Sequence, residues 1–188
     1  MNQTPEEKAR LEALGHHQAV TYINSLAKQH QEIELQNLRE IHCLIFTQSW
    51  PEIAGRFRTE SVEITGTSYL PSHWQQVPSL AYQVLASLNF RIKQTPPVNV
   101  VAIIELAAQA HYDMAAIHPF RDGNGRVARL LLNYVLRYFG LPYVVLPKDS
   151  REQYLDTLEA ANAGNIMPFV DFVAEQYERT LDRLLKVP

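Results

Sequence analysis

Nine consecutive residues, HPFRDGNGR from His118 to Arg126, combine the side chains that phosphate chemistry needs. Gly123 and Gly125 let the backbone approach a ligand closely, and the free N–H groups of a following helix N-terminus bind anions. Asp122 is a natural Mg²⁺ ligand there, because magnesium takes one or two carboxylates and completes its octahedron with phosphate oxygens and water. His118 can accept a hydroxyl proton near neutral pH. The stretch therefore predicts a Mg-nucleotide site with a general base.

The flanking residues predict how this loop is positioned. Pro119 disfavours helical geometry at His118, so the preceding helix should end just before the histidine. The segment after the loop, RVARLLLNYVLRYF, is amphipathic and predicts a second helix. Arg126 falls in its first turn, where the helix dipole disfavours a cation by about 0.3–1 kcal/mol, and Arg129 follows one turn later. We therefore expect something negative to bind beside these two arginines.

Competing motifs fail on spacing or context. An EF-hand would need an oxygen ligand where Arg126 stands and a bidentate Glu where Asn133 stands. A dinucleotide fingerprint is nominally present as Gly123, Gly125 and Ala128, but it follows a helix and a His-Pro loop instead of a strand. Neither motif explains the stretch.

The rest of the chain shows helical periodicity almost everywhere. Thr4 resembles a helix N-cap with Pro5 and Glu7 after it, and Gly15 is expected to close this first helix, over residues 1–15. Alternating apolar residues around Gly66 predict a short β-hairpin over 60–72. Further helices are predicted over 16–30, 33–50, 77–92, 100–117, 126–139, 150–163 and 168–186. One mainly α-helical domain, residues 1–188, is the economical interpretation.

Composition narrows the class of protein. The 188 residues are 46% hydrophobic and 20% charged, with a formal net charge of −3, so neither a nucleic-acid nor a membrane surface is implied. Cys43 is the only cysteine, which excludes an internal disulfide and favours a reducing compartment. The N-terminus lacks the apolar stretch of a signal peptide, and no later run is expected to approach a membrane span. The sequence thus predicts a cytoplasmic protein.

At every defined position, residues 118–129 match HxFx[DE]GNGRxxR, the signature of the Fic (filamentation induced by cAMP) family. The resemblance extends from about residue 16 to the C-terminus. EIAGRFRTESVEITGTSYLP resembles the family's segment leading into its flap hairpin, and YLDTLEAANAGNIMPFVDFV resembles its nucleotide-side helix pair. The pattern is most similar to the animal-type Fic adenylyltransferases. It implies an all-α fold, a helical bundle with a short β-hairpin flap beside the active-site loop.

The resemblance also implies a reaction, the transfer of AMP from ATP to a Ser, Thr or Tyr hydroxyl of a target protein with release of pyrophosphate. His118 would be the general base, Phe120 the anchor of the loop, and Asp122 the ligand of Mg²⁺. Residues that would bind the phosphates are Gly123, Asn124, Gly125, Arg126 and Arg129. Among them Arg126 would contact the outer phosphates and Arg129 the γ-phosphate.

Two further regions take their roles from the same resemblance. Tyr154 and Asn162 would lie beside the nucleoside, although Tyr154 could equally be a core aromatic with its hydroxyl at the surface. The flap would dock an extended segment of the target by β-strand addition. Its residues are Ile64, Thr65, Gly66, Thr67, Ser68, Tyr69 and Leu70.

Several alternatives stay open at the level of sequence. His118 could act as a covalent nucleophile, although one direct displacement suffices. Other family branches transfer phosphoryl or other phosphate-containing groups, and the kinase-like branch tends to have Lys where Gly125 stands. A noncatalytic module that binds proteins through its flap is the third alternative. A homodimer also stays open, because the sequence does not determine the oligomeric state.

Many relatives carry an inhibitory segment, [ST]xxxE[GN], whose glutamate pairs with the last arginine of the motif. Here only Thr59 and Glu63 have the spacing, and they fall in the predicted flap. The hypothesis that follows is that Arg129 is free. The chain would then be constitutively competent, or inhibited by a separate antitoxin-like protein, or lack an upstream inhibitory segment. The same absence argues against removal of AMP.

Overall fold

The computed structural model describes residues 3–67 and 69–186, and these form a bundle of seven α-helices. Their bounds are α1 Pro5–Lys28, α2 Leu35–Phe46, α3 Val77–Gln94, α4 Val100–Ile117, α5 Asn124–Tyr138, α6 Arg151–Asn162 and α7 Met167–Leu185. Two single 3₁₀ turns, Trp74–Gln76 and Lys148–Ser150, precede α3 and α6. The predicted helices from α2 onward are confirmed, with ends shifted by a few residues.

The central element is α4, which packs against α3, α5 and α7, while α1 packs across α2 and α5. By length and composition α4 could also cross a membrane, with a mean hydropathy of 1.3 over its 18 residues. The expectation that no run approaches a membrane span was therefore wrong. Half of α4 is buried inside the bundle, where an apolar helix fills the core between its neighbours.

Gly15 does not end the first helix. Instead α1 continues through it to Lys28, so the predicted helices over 1–15 and 16–30 are one element. A Cβ at Gly15 would lie 2.4 Å from the carbonyl oxygen of Leu44 and 2.6 Å from that of Ile45. The glycine therefore serves the close approach of α1 to α2, a requirement that a sequence pattern cannot distinguish from a helix stop.

We expect Gly15→Ala to destabilise the protein by about 2 kcal/mol, because the added methyl group meets two carbonyls fixed in α2. Helix propensity alone predicts the opposite sign, a gain of about 1 kcal/mol. The free energy of unfolding in urea decides between them. Ala13→Gly, at an exposed position of the same helix, measures the propensity contribution separately. A stabilised Gly15→Ala variant would contradict the packing argument.

The predicted β-hairpin over 60–72 is only partly realised. Its turn lies at Thr65 and Gly66, with Gly66 at φ +94°, and the Thr67 N–H donates to the Ile64 carbonyl at 3.4 Å. No strand occurs in the described residues of this segment, 60–67 and 69–72, so the strand pairing was not predicted correctly. An isolated two-stranded ribbon is marginal in water. Here the tip is held by α6 instead, since the Thr67 hydroxyl donates to Glu159 at 2.6 Å.

Candidate active site

His118 follows the last residue of α4 in a left-handed conformation, with φ 52° and ψ 60°. Its Nδ1 lies 3.2 Å from the carbonyl oxygen of Ala115. Because a carbonyl only accepts, Nδ1 carries the hydrogen in this contact and the lone pair lies on Nε2. Burial, with a smaller contribution from the charge of Arg58, lowers the pKa of His118 below its ordinary value. The imidazole is therefore neutral at pH 7 and able to take a proton.

The loop after His118 is anchored from both sides. The Asn124 amide accepts from the Phe120 N–H and donates to the Phe120 carbonyl, each at 2.8 Å. Phe120 is fully buried and stacks on His42 with ring centroids 3.9 Å apart. His42 Nε2 lies 3.0 Å from the Asp122 carbonyl, and its Nδ1 accepts from the Gly55 N–H at 3.0 Å. These contacts fix the loop before any ligand binds.

The N-terminus of α5 is shaped for an anion. Gly123 is the N-cap, with φ +80°, and a Cβ there would lie 2.4 Å from the Phe46 ring. In the part of the chain that the structure describes, the N–H groups of Asn124 and Gly125 have no acceptor, as expected for the first turn of a helix. Asn124 differs from the expectation in one respect, because its side chain is directed to the Phe120 backbone and only the rest of the residue is available to a ligand.

Arg126 has an acidic partner that the sequence did not suggest. Its Nη1 lies 2.5 Å from Oε2 of Glu12 on α1, and its Nη2 lies 3.7 Å from Oδ1 of Asp122. The guanidinium also stacks over the Phe46 ring, 4.6 Å from its centroid. An outer phosphate would therefore meet an arginine that is already oriented by α1.

Arg129 is half-buried and forms no ion pair with a carboxylate in the described residues. Burial lowers its pKa, and the Tyr154 hydroxyl lies beside it. Tyr154 in turn contacts Nε2 of the fully buried His111 at 3.4 Å. On the same wall the Tyr112 hydroxyl donates to Asn162 at 3.3 Å. Tyr154 and Asn162 thus line the same cleft as the loop.

The buried His111 predicts a loss of stability in acid. Burial lowers its pKa from 6.5 to about 3, so between these pH values the unfolded chain binds a proton that the folded chain does not. The free energy of unfolding should fall as the pH drops through this window, by up to about 1.4 kcal/mol per pH unit from this group. Urea unfolding of wild type and His111→Gln from pH 7 to pH 4 measures the contribution. Parallel pH profiles for the two proteins would contradict it.

The loop after His118, helix α6 and the flap segment border one cleft of about 400 Å³. Of the predicted flap residues, Ile64, Thr65, Thr67 and Tyr69 line this cleft. Gly66 forms the turn, where a Cβ would lie 3.0 Å from Leu155 Cδ1. Leu70 is 76% exposed and does not line the cleft, and Ser68 lies outside the described residues.

The carboxylate of Asp122 is about half exposed and borders the same cleft. No group of three or more His, Cys, Asp or Glu side chains that could hold a metal occurs among the residues described. Magnesium bound through one carboxylate and substrate phosphates needs no such group. The donor set therefore fits Mg²⁺ arriving with a nucleotide.

Sequence reasoning missed three residues of this site: Glu12, His42 and Arg58. Each is remote along the chain from the loop that it contacts, by up to 114 positions in the case of Glu12 and Arg126. His42 resembles an ordinary core residue of α2, and Arg58 an ordinary polar residue before a turn. No local pattern distinguishes them, because their roles depend on which helices pack together.

A neutral histidine, a helix N-terminus and two arginines thus line one cleft in a helical bundle, an arrangement suited to an anionic ligand such as a phosphate. The family model described as Fic/DOC family matches residues 32–136, and the chain belongs to this family. It is 37% identical to the protein adenylyltransferase Fic of Nematostella vectensis over 176 aligned residues. The alignment covers 93% of this chain and 39% of that protein. The protein adenylyltransferase fic-1 of Caenorhabditis elegans is 35% identical, with coverage of 93% and 33%.

Solved structures agree with this assignment. Fic-1 from C. elegans (residues 134–508) superposes with a TM-score of 0.83 at 33% identity, covering 98% of this chain and 54% of that one. A Fic domain containing signalling protein from Bacteroides thetaiotaomicron gives a TM-score of 0.83 at 26% identity, covering 97% and 73%. The chain spans 33–39% of the length of the curated relatives described above.

Proposed function

We propose that this chain transfers AMP from ATP to a Ser, Thr or Tyr hydroxyl of a target protein and releases pyrophosphate. The observation that carries the proposal is the 3.2 Å contact of His118 Nδ1 with the Ala115 carbonyl, which leaves Nε2 free as a base in the cleft that the first turn of α5 also lines. Relatives named protein adenylyltransferase, 35–37% identical over 93% of this chain, support it. Because those relatives are much longer, the activity of this chain is inferred from its own site.

The proposed chemistry is a single displacement at phosphorus. The target hydroxyl oxygen bonds to the α-phosphorus, the bond from that phosphorus to the pyrophosphate oxygen breaks, and the hydroxyl proton passes to Nε2 of His118. Gly123, Asn124 and Gly125 would line the anion site, and the N–H groups of Asn124 and Gly125 would donate to the phosphate oxygens. The Gly123 N–H already donates to Oδ1 of Asp122 at 2.5 Å. Arg126 would bind the outer phosphates and Arg129 the γ-phosphate. Positioning and charge neutralisation of this kind supply most of the catalysis in phosphate transfer.

Asp122 would hold Mg²⁺ together with the nucleotide, and the ion would supply positive charge that stabilises the leaving pyrophosphate. Tyr154 and Asn162 would border the nucleoside. The flap segment 60–72 would receive a strand of the target, with Ile64, Thr65, Gly66, Thr67, Ser68, Tyr69 and Leu70 as the docking residues. Its lack of strand pairing in the described residues leaves backbone groups for such an addition.

Because Arg129 forms no ion pair with a carboxylate in the described residues, the chain would be constitutively competent, or an inhibitory carboxylate would come from a separate antitoxin-like protein. ATP turnover that rises only as an added small protein is titrated out supports such an inhibitor. High turnover unaffected by cell extract contradicts it.

We further propose a cytoplasmic setting without nucleic-acid or membrane partners. A homodimer is a further hypothesis, which analytical ultracentrifugation tests.

Parallel labelling with ATP carrying the label on the α- or the γ-phosphate tests the proposed reaction. Wild type and His118→Ala are incubated with Mg²⁺ and cell extract, and protein-bound label is measured. Label from the α-position alone, absent with His118→Ala, is the expected result. Label from the γ-position would indicate phosphoryl transfer, and label from neither would favour a noncatalytic binding module.

A further inference from the structure

Arg58 is buried, with 5% of its surface exposed, and its guanidinium donates to four backbone carbonyls. Nε donates to the carbonyl of His118 at 2.8 Å, and Nη1 to that of Glu60 at 3.0 Å. Nη2 donates to the carbonyls of Ser72 and, at 3.3 Å, of Ile117. The guanidinium thus joins two separate pieces of backbone.

The four carbonyls belong to two elements that the proposed reaction must hold together. Ile117 and His118 form the C-terminal end of α4, where a cation is favoured by the helix dipole. Glu60 and Ser72 are the two ends of the flap segment 60–72. Among the described residues no carboxylate forms an ion pair with Arg58, so these carbonyl dipoles are what compensates its buried charge.

Backbone contacts also join the residues just before the flap segment to the loop after His118. The Arg58 N–H donates to the Pro119 carbonyl at 3.0 Å, and Phe57 and Phe120 form an isolated antiparallel β-bridge. The residues just before the flap segment are therefore paired with the His118 loop through this bridge. A planar guanidinium with a fork of donors suits four carbonyls at once, whereas an ammonium group is a single point charge.

We propose that Arg58 is a positioning residue that sets the geometry between the flap and His118, so that a hydroxyl presented by the flap meets Nε2. This inference rests on the proposed AMP transfer for its catalytic part. The phosphate-binding part of the loop is anchored separately, through the Asn124 amide on Phe120 and through His42 on the Asp122 carbonyl. Loss of Arg58 should therefore impair use of the target protein far more than binding of ATP.

Three variants test the inference: Arg58→Met, Arg58→Lys and, as matched control, Arg137→Met. Arg137 is also partly buried and donates from Nη1 to a backbone carbonyl, that of Leu141 at 3.1 Å, and among the described residues it forms no hydrogen bond or ion pair with the flap or the His118 loop. The target is the protein most strongly labelled from α-labelled ATP in extract, purified. The dissociation constant of ATP is measured by titration calorimetry, and hydrogen–deuterium exchange is followed over 60–72 and 117–120.

For Arg58→Met we expect kcat/KM for the target to fall about 30- to 100-fold, since small misplacement of reacting groups has effects of this size. The dissociation constant of ATP should change by less than about twofold. Exchange should accelerate in both segments together. Arg58→Lys should recover part of kcat/KM, and Arg137→Met should retain wild-type values for both segments and for the target.

Three results would overturn the inference. They are an ATP affinity that falls in proportion to kcat/KM, an equal loss of kcat/KM in Arg137→Met, or faster exchange in only one of the two segments. Should Arg58→Met fail to fold, Arg58→Lys decides, because wild-type kcat/KM and wild-type exchange in that variant contradict the role. If wild type transfers no label at all, the proposed function fails by itself, while the exchange data still test the coupling of flap and loop.

Discussion

Replacing His118 by alanine is expected to lower kcat for AMP transfer about 10²- to 10⁴-fold, the usual contribution of a positioned general base. The dissociation constant of ATP should stay within about threefold of wild type, since the base acts on the hydroxyl and not on the phosphates. The transfer depends on which ring nitrogen of His118 is free to accept a proton. Nδ1 faces the Ala115 carbonyl, so the free lone pair of Nε2 performs the proton transfer. Single-turnover transfer to the purified target, beside calorimetric titration of ATP, measures both quantities.

His118→Asn is the matched control for this prediction. An asparagine amide can still donate to the Ala115 carbonyl from near the position of Nδ1, but it offers no base in place of Nε2. The variant should therefore keep the loop in place and still lose transfer. Retention of more than about a tenth of the wild-type kcat in His118→Asn would contradict the role of base. An acid-labile adduct of AMP on His118 in wild type would instead support covalent catalysis.

Gly123→Ala is expected to reduce the free energy of unfolding by about 2–5 kcal/mol. The left-handed φ of +80° accounts for about 1–2 kcal/mol of this for a residue with a Cβ. Overpacking adds about 1–3 kcal/mol, because the new Cβ would lie 2.4 Å from Cε2 of the buried Phe46 ring. ATP binding should weaken as well, since the cap of α5 moves. Urea unfolding and calorimetric titration of ATP check the two effects.

Gly140→Ala separates the cost of the left-handed φ from the cost of overpacking against Phe46. Gly140 has φ +75°, close to that of Gly123, but a Cβ there meets nothing within 4 Å. This variant should lose only about 1–2 kcal/mol and bind ATP as wild type does. Equal losses in the two variants would show that the Phe46 ring moves aside, and that the contact with Gly123 is not a constraint on the loop.

The helices of this protein could be predicted because their causes are local. Apolar spacing and the effect of Pro119 on His118 act within a few residues, and they predicted six of the helices of the described chain, α2 to α7, nearly complete. The Thr4 cap in the same way marked the start of α1, although not its end. Gly15 shows where local reasoning ends. A glycine that stops a helix and one that admits a neighbouring helix look alike in sequence, and only the carbonyls of Leu44 and Ile45 distinguish them.

The motif residues also came from the sequence, because a loop and the helix turn after it place their own groups. His118, Asp122 and Gly123 lie within six consecutive residues, so their proximity to Arg126 follows from chain geometry alone. What holds them was decided by tertiary structure. Glu12 on α1, His42 on α2 and Arg58 before the flap each reach the loop across more than 55 residues. Such contacts arise when the hydrophobic faces of helices are buried together, and no short-range preference of the chain specifies which polar side chains are brought along.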